Sequence, residues 1–254
     1  MIVKFRLLCV LALVSLLFAC TTDKPKAVGS NARDLVTERA RAHTELGAAY
    51  LQQDKLEIAM DEFKQAIEIS PAYALAYNGL ALVQSTLGED VDAEANFKRS
   101  LELQPTSSES HNNYGNFLCI RKRYDESITQ FLEAVKNPLY TTPNLAYANA
   151  GICATRKNDI KSAEVYLNKA LQINPLTHSA AYQLADIQFK RGDVATAKET
   201  LKNALVANPT AEILWLGIKI ERVVGDKDSE ASYALQLRRQ YPNSEQTQLL
   251  LSGK

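Results

Sequence analysis

The sequence has no excess charge of either sign. Its 254 residues carry 29 Lys plus Arg against 29 Asp plus Glu, with neither a basic run nor a basic stripe. That balance excludes the electrostatic footprint a nucleic-acid partner requires. Histidine is scarce: His43, His111 and His178 are the only three, and none stands with cysteines or carboxylates at ligand spacing. No metal site and no cofactor is therefore expected. The chain lacks a glycine-rich phosphate loop, a nucleophile elbow and an HExxH pair. Its acids fall mostly on outward helical positions, where solvated charge is the ordinary reading, so the pattern argues against an enzyme. Long apolar runs are missing as well. The longest, Leu7 to Phe18, is shorter than the roughly 20 residues of a transmembrane helix.

That run has a role of its own. Lys4 and Arg6 precede it and polar residues follow, the layout of a secretory signal. Leu17-Phe18-Ala19-Cys20 resembles the lipobox of bacterial lipoproteins, in which the signal is removed and the cysteine is acylated. The expectation is a signal peptide over residues 1–19 and a lipid on Cys20, with an ordinary signal peptide as the alternative. Thr21, where an Asp would imply retention at the inner membrane, implies the outer membrane and a periplasm-facing protein. Loss of Lys4 and Arg6 leaves acids exceeding bases by two in the mature chain. Residues 20–34 are polar, contain Pro and Gly, and lack helical periodicity, so they read as a flexible tether.

The remainder is periodic. Pro71 and Pro105 lie 34 residues apart, as do Pro175 and Pro209, and the gap between the pairs is 70, two periods plus two residues. This is the spacing of tetratricopeptide repeats (TPRs). The residues between agree with it: Gly47, Ala59, Phe63 and Ala66 recur as Ala81, Ala93, Phe97 and Ser100, as Gly115, Ser127, Phe131 and Ala134, as Gly151, Ala163, Leu167 and Ala170, and as Ala185, Ala197, Leu201 and Ala204. Small residues let two antiparallel helices approach, large apolar ones fill the space between, and the proline ends the second helix. The expected fold is all-α: a right-handed superhelical solenoid of about six TPR hairpins filling a domain over residues 35–254. Its repeats are placed at about 40–73, 74–107, 108–143, 144–177, 178–211 and 212–243, with a short capping helix over 244–254. The sixth unit is degenerate, with Lys219 in a small-residue slot, and Ala231 and Leu235 are expected on its inner face. Val135 to Pro143 reads as a longer loop.

Of the four cysteines, Cys9 leaves with the signal and Cys20 takes the lipid, leaving Cys119 and Cys153 in an oxidising compartment. They occupy positions twelve and ten of adjacent first helices. Two helical residues correspond to about 200° of rotation, so the two side chains project from nearly opposite sides of equivalent helices, as a bridge requires. A disulfide is expected over two buried thiols, and whether the side chains face one another stays open.

First helices of TPRs line a concave groove. Threading this chain through the groove positions selects Leu51, Leu75, Asn78, Leu82, Asn112 and Asn116 as the partner-binding set. The leucines form either an exposed patch or a surface covered by the next repeat. The asparagines offer donors and acceptors suited to a peptide backbone. The ordered Lys/Arg set that clamps a terminal carboxylate in chaperone-binding TPRs is missing, Arg41 alone having that chemistry. An internal amphipathic or extended segment fits better.

Finally, His111 to Cys119 (HNNYGNFLC), the following RKRYDESITQFLEA and the stretch Leu214 to Ser244 resemble the type IV pilus biogenesis and stability lipoproteins, the PilF/PilW family. That resemblance implies an outer-membrane lipoprotein that binds the type IV pilus secretin and promotes its localisation and multimer assembly; a monomer is expected. A TPR lipoprotein of the outer-membrane protein assembly machinery, or an adaptor for cell-wall enzymes, would share the lipobox and the repeats.

Overall fold

In the computed structural model, the backbone is described from Val28 to Gly253 and side chains from Asp34. The expected signal peptide and Cys20 lie outside the described residues. Within them the fold is all helix, thirteen elements in sequence. Six antiparallel hairpins follow one another: α1 (Val28–Gln52) with α2 (Leu56–Ile69), α3 (Ala74–Leu87) with α4 (Asp90–Leu103), and α5 (Ser108–Ile120) with α6 (Tyr124–Ala134). Then come α7 (Pro143–Arg156) with α8 (Ile160–Ile173), α9 (His178–Lys190) with α10 (Val194–Val206), and α11 (Ala211–Val224) with α12 (Lys227–Gln240). A seven-residue helix, α13 (Glu245–Leu251), packs on α11 and α12, and Ser244 caps it by accepting from the Thr247 amide at 3.2 Å. Each first helix also touches the first helix of the next unit, which makes the array a TPR solenoid.

The repeat is written into the backbone as well as into the side chains. Each hairpin turn contains one residue with a left-handed backbone: Asp54, Gly88, Lys122, Asn158, Gly192 and Gly225. The spacings are 34, 34, 36, 34 and 33 residues. The 36 records the two residues added in the loop 135–142 between α6 and α7. Pro143 opens α7 there, in the first turn, where its missing N–H costs nothing.

The 33 explains a correction. α11 begins two residues after Pro209, where α3, α5 and α9 begin three after Pro71, Pro105 and Pro175, so the sixth unit starts one residue early, at Ala211. One helical residue is about 100° of rotation. The positions expected to face inward therefore turn out: Leu235 is 51% exposed and Ala231 is exposed, while Leu237 is buried and Tyr233 packs on the core. A close approach on α11 occurs at Gly217, where a Cβ would stand 2.9 Å from Leu205 Cδ2 on α10 of the preceding unit. Lys219 lies over the Phe189 ring.

The hairpins close as the sequence pattern requires. Phe63, Phe97, Phe131, Leu167 and Leu201 are all buried, each among small residues of its own unit such as Ala59, Ala93 and Ala163. His43 and His111 do more than pack. His43 Nδ1 lies 2.6 Å from Glu62 Oε2, and His111 Nδ1 lies 2.7 Å from Gln130 Oε1, the same two repeat positions used twice to tie first helix to second. A second correction concerns the N-terminus. The stretch expected as tether to residue 34 is helical from Val28, so α1 runs well beyond the repeat it begins. Extending a helix already held by packing costs little per added residue.

Candidate partner-binding groove

The first helices of units one to three enclose a groove of about 510 Å³. α1 contributes Arg41, Thr44, Glu45, Ala48, Leu51 and Gln52; α3 and its N-cap contribute Tyr73, Leu75, Asn78, Gly79 and Leu82; α5 contributes Glu109 and Asn113. Leu51, Leu75 and Leu82 are half-buried, neither sealed by the next repeat nor fully in solvent. The floor is the ring of Phe63 on α2, reached through a gap left by two glycines. A Cβ on Gly79 would stand 2.1 Å from Phe63 Cε1, and one on Gly47 2.9 Å from the same atom. Neither glycine has positive φ; the ring occupies the place of a side chain at Gly79 and presses close to it at Gly47.

The rim is polar. Arg41 is already taken: its guanidinium bonds Glu38 and donates to Glu45 Oε1 at 3.4 Å. Those partners, Glu38 first, raise its pKa further. Burial raises the Tyr73 phenol beside it.

The asparagines divide differently from the threaded expectation. Asn78 is 2% exposed and its Oδ1 accepts from Asn113 Nδ2 at 3.3 Å. It braces α3 against α5 and is not free to grip a ligand through that oxygen. Asn112 Oδ1 accepts in turn from Asn149 Nδ2 on α7 at 3.1 Å. The two bonds repeat one relation, position six of a unit to position five of the unit before. Asn112 and Asn116 are half-buried but line the next stretch of the array rather than the leucine groove. The groove thus brings together Leu51, Leu75, Leu82 and the edge of Asn78, and it adds Glu45, Tyr73 and Asn113, which threading omitted. Gly79, a helix-interior glycine outside the small-residue pattern, was the available sign of close approach.

Cys119, at a groove position by count, is turned into the core. It is joined to Cys153, with Cα atoms 5.9 Å apart, inside the 4.4–6.8 Å range of disulfides. Both are buried, packed with Phe131 and Ala150, and the Arg156 guanidinium reaches Cys119 Sγ at 3.8 Å. The bond joins α5 to α7, across the junction that the longer loop crosses.

No group of three or more His, Cys, Asp or Glu among the described residues could hold a metal. None of the described helices is long and apolar enough to cross a membrane.

Comparison with known proteins places this geometry. Tetratricopeptide-repeat family models match residues 47–88, 96–129 and 154–217. Type IV pilus assembly protein PilF of Pseudomonas aeruginosa is 33% identical over 208 residues, 82% of either chain. The solved structure of Pseudomonas aeruginosa PilF superposes with TM-score 0.74 at 32% identity, covering 86% of this chain and 99% of that one. The crystal structure of PilW, a widely conserved type IV pilus biogenesis factor, gives TM-score 0.70 at 31% identity over 84% of this chain and 98% of its own. The chain belongs to the PilF/PilW family of type IV pilus tetratricopeptide-repeat proteins.

Proposed function

We propose that the protein is a non-catalytic outer-membrane lipoprotein, held by a lipid on Cys20, that binds the type IV pilus secretin and promotes its localisation and multimer assembly. The observation that carries the reading is the apolar groove of Leu51, Leu75 and Leu82, open on the concave side of a solenoid of this family. Half-buried leucines around a concave floor are the usual construction of a protein-binding site. The lipid anchor rests on the sequence around Cys20, and the secretin on kinship with pilus assembly proteins.

The test is genetic and then structural. Deleting the gene should remove heat-resistant secretin multimers from the outer-membrane fraction and abolish piliation. Restoring the chain with Leu82→Glu, checked for native helicity by circular dichroism, should not restore multimers. Normal multimers in the deletion strain would rule out the assembly role, and full rescue by the Leu82→Glu chain would place the interface elsewhere. Globomycin treatment or Cys20→Ala should release the protein from the membrane fraction if Cys20 carries the lipid.

A further inference from the structure

The charges around the groove say more about its occupant than the leucines do. Three charged side chains line it: Arg41, Glu45 and Glu109. Among the described residues Arg41 is the only cation lining it, and it is spent, bridged between Glu38 and Glu45. Glu109 makes no ion pair among the described residues. It stands in the first turn of α5, where the helix dipole favours a carboxylate. Counting Glu38 with its partner, three carboxylates face one guanidinium, and the mouth of an apolar cleft carries net negative charge. Low-dielectric walls concentrate such a field.

We propose that the segment seated in this groove is a cationic amphipathic peptide of the partner protein: apolar side chains inserted among Leu51, Leu75 and Leu82 above the Phe63 ring, with Lys or Arg beside them facing Glu45 and Glu109. This rests on the reading of the groove as the partner site and adds the chemistry of what enters it. An acidic segment meets no available cation, and its carboxylates would be desolvated against Glu109. A neutral apolar segment would fit the floor and leave Glu109 partly desolvated without a counter-charge, a cost that a cation removes. The groove volume, about 510 Å³, accommodates several side chains, which suits a segment of two or three anchors rather than one.

The experiment uses the mature chain and three fluorescein-labelled decapeptides of one design, GSKLLKALKG, GSQLLQALQG and GSELLEALEG, with binding followed by anisotropy at low salt. The lysine peptide should bind on the order of tenfold more tightly than the glutamate peptide, as expected for two exposed charge contacts that change sign. Raising the salt to several hundred millimolar should shrink that ratio, since the Debye length falls to a few ångströms. The Glu45→Gln/Glu109→Gln chain, altered only at exposed positions, should bring the ratio close to one. Equal or tighter binding of the glutamate peptide, a ratio unaffected by the double substitution, or no binding of any of the three would overturn the proposal. Secretin capture separates this result from the broader reading. Capture lost with Leu82→Glu but undiminished with Glu45→Gln/Glu109→Gln would leave the groove as the interface and refute its preference for cations.

Discussion

The ring of Phe63 lies where the side chain of Gly79 would be, with Cε1 only 2.1 Å from the place a Cβ would take. Two effects oppose each other when that glycine is replaced by alanine. A helix-interior Gly→Ala change gains up to about 1 kcal/mol in backbone terms, while overpacking a rigid, buried ring costs about 1–3 kcal/mol. At Gly79 the clash is deep and the ring is buried, so Gly79→Ala should lower stability by about 1–2 kcal/mol and obstruct the groove floor. At Gly47 the approach is 2.9 Å, so Gly47→Ala should come out within about 0.5 kcal/mol of neutral. Urea unfolding of the two variants checks the ranking, and an equal loss at both sites would contradict it.

Lys122 holds a left-handed backbone, φ 63°, in the turn between α5 and α6, where the equivalent turns of units two and five use glycine. A non-glycine residue pays roughly 1 kcal/mol for that conformation. Lys122→Gly should therefore raise the thermal midpoint slightly, by an amount matching about 0.5–1 kcal/mol after the entropy of the freer unfolded chain is subtracted. Calorimetry on the purified variant measures it.

The buried amide pair offers a double-mutant cycle. Asn113→Ala leaves the Asn78 oxygen, 2% exposed, without its donor. The single change should cost about 1–2 kcal/mol. Replacing both asparagines by alanine should cost less than the sum of the single changes, because no unpaired acceptor remains. Strict additivity would show that water already serves the oxygen.

Glu94 on α4 predicts a pH effect. Hydrogen bonds from Arg123, then Lys98 and Tyr114, hold its carboxyl down at about 2 against the burial that would raise it. A carboxyl depressed on folding stabilises the native state above its ordinary pKa and loses that contribution as pH falls toward the folded value. Glu94→Gln should thus be less stable than the parent by about 1 kcal/mol at pH 7. The gap should close between about pH 4.5 and pH 2, as read from urea midpoints across that range. A gap that does not change with pH would assign the loss to packing.

The disulfide predicts a redox effect. Bridging Cys119 and Cys153, 34 residues apart, should stabilise by about 4 kcal/mol in the chain-entropy account. Dithiothreitol should lower the melting temperature of the parent and leave Cys119→Ala/Cys153→Ala unaffected. Alkylation of both thiols under non-reducing conditions would show the bond absent from the native protein.

How far the sequence alone reached depended on how local the determining physics was. The five regular units were legible because each buried position, Phe63 and Ala59 for example, answers to contacts inside one hairpin. The sixth was misregistered because one residue is missing from the turn between Pro209 and α11, and counting by prolines, which keep their spacing of 34, passes over it. The start of α1 was missed because polar residues 28–34 carry no periodicity; they are helical by continuation from a packed helix. In the groove, Leu51, Leu75 and Leu82 could be found by counting positions. The division of labour among Asn78, Asn112 and Asn113 could not, because it depends on which side of each helix meets the next unit, about 100° per residue.

The cysteine bond has one further consequence. Arrays whose parts touch only their neighbours open from the ends, and a covalent tie between α5 and α7 halts that opening midway along the chain. The groove straddles the boundary: its α5 wall, with Glu109 and Asn113, belongs to a helix anchored by Cys119, whereas its α1 wall belongs to the first described hairpin. A segment held between the two walls would join the covalently tied middle of the array to its first described hairpin as it bound.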